Sequence, residues 1–68
     1  MDKITLAAAR VNAGLKLEYA AAKIGRSSAT VSSWENYNSE PKVTDAQKLA
    51  KLYGLSIGAI IWTKEDKE

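Results

Sequence analysis

Residues 17–36 read Leu17-Glu18-Tyr19-Ala20-Ala21-Ala22-Lys23-Ile24-Gly25-Arg26-Ser27-Ser28-Ala29-Thr30-Val31-Ser32-Ser33-Trp34-Glu35-Asn36. The alanine run favours a helix from Leu17 to Ile24, because alanine is the best helix former. Gly25 follows where a left-handed residue closes a helix without a Cβ clash. Ser27 offers a hydroxyl to a free N–H of the next helix's first turn. Ile24, Val31 and Trp34 then face inward. Ala21 falls where two short helices crossing at about 90–120° come closest, a place that favours a methyl side chain. This geometry leaves the outer face of the second helix available to the major groove of DNA.

The same punctuation extends outward. Asp2 is positioned to cap a first helix that carries Leu6, Ala9 and Arg10 and ends near Gly14. Residues 36–43 form the one extended loop. Thr44 with Gln47 three positions later fits a capping box. It opens a fourth helix bearing Ala46, Leu49, Ala50 and Tyr53, which Gly54 closes. Ser56 starts a short last helix with Ile57, Ile60 and Ile61. Strand-like alternation is missing, so the expected fold is all-α: a compact five-helix bundle over residues 1–62, with a charged tail over 63–68. Lys48 and Lys51 read as solvated helix surface.

With 68 residues the chain holds one domain at most. It has no cysteine and no histidine, which removes disulfides and the commonest zinc ligands. No side chain is available as a nucleophile beside an activating base, the acids are not paired, and the glycines are isolated. Neither catalysis nor a cofactor or metal is expected. No apolar run approaches the ~20 residues of a membrane span. The first residues lack the layout of a signal peptide, so the expected location is the cytoplasm. Charge is uneven. Residues 1–34 carry five cations against two acids, net +3, and residues 35–68 carry five against six, net −1. A basic first half points to an anionic partner such as nucleic acid.

From about Ile4 to Trp62 the chain resembles the Xre/lambda-repressor-like helix-turn-helix family, which includes lambdoid phage repressors and Cro proteins. The resemblance is carried by Gly14-Leu15, Ala20-Ala21-Ala22-Lys23-Ile24-Gly25, Thr30-Val31-Ser32, Trp34-Glu35-Asn36 and Leu49-Ala50-Lys51-Leu52-Tyr53-Gly54-Leu55-Ser56. Lys16 and Leu17 stand where the family usually has threonine or serine followed by glutamine. Arg26 replaces a usual valine or threonine, and Tyr37 stands where glycine is common.

The resemblance implies a regulator that binds double-stranded operator DNA, closer in size to a Cro protein than to a full repressor. Ser27, Ser28, Ala29, Ser32 and Ser33 would face the bases. Lys16, Lys23, Arg26, Asn36, Asn38 and Lys42 would contact phosphates. Arg10 and Glu35 would form a structural ion pair. Homodimerisation would use Ile57, Ile60 and Trp62, with Trp62 as the exposed member. None of the base-facing residues is Arg, Lys, Gln or Asn, the side chains suited to bidentate base reading. A second reading therefore stands beside the first: a modulator that keeps the fold and binds a repressor protein.

Overall fold

The computed structural model describes residues 2–65; the end of the charged tail, 66–68, lies outside the described residues. Four α-helices follow in order: α1 (Leu6–Asn12), α2 (Leu17–Lys23), α3 (Ser28–Glu35) and α4 (Val43–Tyr53). After them comes one 3-10 turn, Ile57–Ala59. Two short strands, β1 (Ile4–Thr5) and β2 (Ile60–Ile61), then pair in parallel with Ile4 opposite Ile60. The five-helix expectation is thus corrected to four helices closed by a strand pair. Ile57, Ile60 and Ile61 have helical spacing, yet β-branched side chains lose freedom in a helix and suit a pleated strand. Gly58 weakens the helical alternative further.

Two helix starts also differ from expectation. Thr5, not Asp2, caps α1: its hydroxyl accepts the Ala8 N–H at 3.1 Å. Helix α4 begins one residue after Lys42, whose side chain makes no capping bond. Thr44 and Gln47 therefore sit exposed inside the helix and form no capping box. Asp45 occupies the first turn, where a negative charge suits the helix dipole.

The helix ends share one device. At the end of α2 the Arg26 N–H donates to the Ala21 carbonyl at 2.9 Å and the Gly25 N–H to Ala22 at 3.2 Å, with Gly25 at φ +74°. This is a Schellman closure. Helix α3 closes the same way, Asn38 donating to Ser33 and Tyr37 to Trp34, but the left-handed residue is Tyr37 at φ 59°. A side chain there costs about 1–2 kcal/mol. The Tyr37 hydroxyl offsets that cost by tying the start of α1, just after β1, to β2. It accepts the Leu6 N–H at 3.2 Å and donates to the Ile61 carbonyl at 2.9 Å. Leu6 is one of the first-turn donors that a helix cannot satisfy internally.

The core joins Leu6 and Ala9 of α1, Ala20 and Ala21 of α2, Val31 and Trp34 of α3, and Leu49, Ala50 and Tyr53 of α4. Ile24 and Ile60 complete it. Ala21 is buried between α2 and α3, where a larger side chain would force the two helices apart. Among the described residues no helix is long and apolar enough to cross a membrane.

Candidate DNA-binding face

Helix α3 is held by its inner residues and its cap. Val31 and Trp34 are buried, which turns Ala29, Ser32 and Ser33 away from the core. The Ser27 hydroxyl accepts the Thr30 N–H at 3.2 Å and lies 2.9 Å from the Thr30 hydroxyl. Thr30 was not among the expected site residues. Its signal is the spacing of two hydroxyls three positions apart at a helix start, a variant of the capping box.

The outward surface is small and uncharged. Ala29 is exposed, while Ser28, Ser32 and Ser33 are half-buried. Several of its polar groups already have partners. Ser33 Oγ lies 2.9 Å from Ser39 Oγ, and the Asn36 amide donates to the Ser32 carbonyl at 3.0 Å. Asn38 is exposed. Lys16 and Lys42 are exposed and occupy the residues immediately before α2 and α4.

Two of the residues expected to contact phosphate, Lys23 and Arg26, are exposed and also have partners within the chain. Lys23 points its ammonium at the Tyr19 ring, 5.5 Å from the centroid, and lines a cavity between α2 and α4. Arg26 directs Nε and Nη2 at the Asp45 carboxylate, at 3.3 and 3.1 Å. Asp45 is almost wholly buried, so this arginine ties the turn after α2 to the start of α4. In the sequence Asp45 carries no distinguishing signal, because an acid in a first helical turn is ordinary.

Beneath α3 lies a second ion pair. Arg10 Nε donates to Glu35 Oε2 at 2.7 Å and Nη2 to Oε1 at 3.3 Å, while Nη1 reaches the Leu15 carbonyl at 2.9 Å. These bonds fix α1 against the end of α3. The hydrogen bond to Glu35 raises the Arg10 pKa above its ordinary value, against the opposing effect of burial. Tyr53 lies within their electrostatic reach. Burial, and then the Glu35 charge, push its phenol up to about 12. Its hydroxyl has no hydrogen-bond partner among the described residues.

The fold divides the expected dimer residues, burying Ile60 and keeping Ile57 beside Trp62. Ile60 is fully buried in the core and is corrected from contact surface to core. The reason is its pairing with Ile4. Ile57 is 37% exposed. Trp62, expected to be the exposed member, is instead half-buried against the core, because its ring packs there and its indole N–H donates to the Ile57 carbonyl at 2.9 Å.

Two helices crossing at a tight glycine turn, with the second helix turned outward, define a helix-turn-helix domain. A helix-turn-helix family model matches residues 6–60, the span from the start of α1 to the start of β2. The chain belongs to the Xre/lambda-repressor-like helix-turn-helix family, whose members are DNA-binding regulators. Neither a curated protein nor a solved structure matches it at a significant level.

Proposed function

We propose that the protein is a Cro-like transcriptional regulator that sets α3 in the major groove of operator DNA. The observation that carries this reading is the outward, charge-free surface of α3 flanked by Lys16 and Lys42 at the starts of α2 and α4. In this arrangement the two lysines and Asn38 hold the phosphate backbone, and Ser28, Ala29 and Ser32 meet the base edges. Arg26 keeps the turn in shape by holding Asp45. Backbone contacts position the protein, and the small residues add little base discrimination. The protein acts as a homodimer in a bacterial or phage-infected cell, with Ile57 and the open edge of Trp62 at the two-fold axis. Half-sites then lie about 34 Å apart.

The test is fluorescence anisotropy with promoter DNA across a salt series. Lys16→Ala and Lys42→Ala should each flatten the log–log salt dependence by roughly 0.9, the contribution of one neutralised phosphate. Unchanged slopes for both would rule out this placement of the DNA.

One observation favours a second reading, in which the same helix docks on a repressor protein. Leu17, at the start of α2, has an alkyl side chain with no donor for a phosphate, and it packs against the core. Ala29→Arg separates the readings. It adds a cation that DNA tolerates, whereas a protein interface would receive an unpaired charge and lose the partner.

A further inference from the structure

Away from α3, the surface between α2 and α4 holds an open cavity of about 310 Å³ lined by Lys23, Ile24, Lys48, Lys51 and Leu52. Its floor is apolar: Ile24 is buried and Leu52 half-buried, both packed in or against the core. Its rim is cationic. Lys48 and Lys51 stand three residues apart on α4, hence on one helix face, and Lys23 comes across from α2. No ion pair among the described residues neutralises any of the three lysines. The Tyr19 ring, one turn before Lys23, holds that ammonium by a cation–π contact at 5.5 Å.

We infer that this groove is a second docking surface, which takes an acidic amphipathic segment of a partner protein. The charge pattern selects the occupant. Three ammonium groups without an ion-pair partner among the described residues, around two aliphatic side chains, match a helix with one or two leucine-sized residues flanked by carboxylates. The apolar residue displaces water from Ile24 and Leu52, while the carboxylates meet the rim. A nucleic-acid backbone would satisfy the lysines but gains nothing from the aliphatic floor. No residue of α3 lines the cavity, so the protein can hold DNA on α3 and this segment on the α2–α4 side at once. The inference stands apart from the reading of α3 and survives if that reading fails. It gives a domain of this size a route to contact other proteins from the operator.

The test uses the full chain labelled with ¹⁵N and two short acetylated peptides of equal negative charge. One carries two leucines a helical turn apart between glutamates; the other has serines in their place. The leucine peptide should move the amide signals of Lys23, Ile24, Lys48, Lys51 and Leu52. The double variant Lys48→Glu with Lys51→Glu should weaken it by at least about tenfold, because like charges now face each other. Both positions are exposed, so thermal unfolding should scarcely change. Lys48→Gln with Lys51→Gln removes the charge without reversing it and should lower affinity by a smaller factor. Absence of groove shifts at millimolar leucine peptide overturns the inference. So does equal binding of the serine peptide, which would reduce the groove to ion exchange. Duplex DNA moving the same five signals, or shifts that follow protein concentration alone, would assign the groove to nucleic acid or to a second copy, and either result overturns it too.

Discussion

Two arginine–carboxylate pairs brace this domain, and they differ in how far water reaches them. In the Arg10–Glu35 pair both side chains are largely withdrawn, at 17% and 9% exposure. In the Arg26–Asp45 pair the acid is buried even more deeply, at 3%, but the arginine is nearly half open, at 45%. The first pair joins α1 to the end of α3; the second joins the turn after α2 to α4. A buried carboxylate that loses its only cation keeps its desolvation cost, so both acids depend on their arginines. Water can reach the site that Arg26 would vacate more readily than the site of Arg10. The difference teaches that one interaction can be a core element at one place and a surface strut at another.

The comparison can be broken most directly at Arg10. Arg10→Met leaves Glu35 and the Leu15 carbonyl without their donor and should cost about 3–4 kcal/mol in urea unfolding. Adding Glu35→Leu should recover part of that loss, since the two residues act as one unit. A double variant as unstable as the sum of the singles would show that the pair is not coupled. Next in size is Arg26→Met, expected to cost about 1–2 kcal/mol because solvent can rehydrate Asp45. It should leave the salt dependence of DNA binding unchanged, unlike Lys42→Ala. A loss as large as that of Arg10→Met would erase the distinction between the pairs.

The smallest expected effect lies at Tyr53, beside the first pair. Its buried hydroxyl lacks a partner among the described residues, so Tyr53→Phe should be neutral or stabilising by up to about 1 kcal/mol near pH 7. The sign reverses what truncation of a core side chain normally brings. Alkaline titration sharpens the point. The folded phenol ionises near 12 and the unfolded one near 10. The unfolded chain therefore releases this proton first, and stability conferred below pH 10 is lost as pH rises towards 12. Wild type should lose about 1 kcal/mol per pH unit more than Tyr53→Phe over that window. Parallel pH curves for the two proteins would place the hydroxyl in contact with water.

Most features written by neighbouring residues were legible in the sequence, although Thr5 competes with Asp2 for the start of α1 and Lys42 with Thr44 for that of α4. The glycine after α2, the Ser27 cap, the small Ala21 and the inward Val31 and Trp34 each follow from local spacing. The positions of Arg10 and Glu35 came from the family resemblance. What stayed hidden depends on distant partners or on patterns with two meanings. A strand of two residues shows no alternation, so β1 and β2 left no periodic trace. Ile57, Ile60 and Ile61 fit a helical stripe as well as a 3-10 turn followed by a strand. Arg26 looks like a phosphate ligand until Asp45, nineteen positions away, is brought beside it. Lys48 and Lys51 read as plain surface until Lys23 arrives from another helix to share their cavity.

The Tyr37 hydroxyl and the strand pair beside it have a consequence for the order of folding. Ile4 and Ile60 are separated by 56 positions, so their pairing closes nearly the whole described chain into a loop. Such a closure is entropically costly until the helices between have packed. The helices form local contacts and assemble first, and the ends meet late. A clasp made after the rate-limiting step slows unfolding without speeding folding. Tyr37→Phe, which cuts both bonds of the clasp, should raise the unfolding rate and leave the folding rate nearly untouched. The tyrosine that tolerates a left-handed backbone would thus act chiefly on the lifetime of the folded protein.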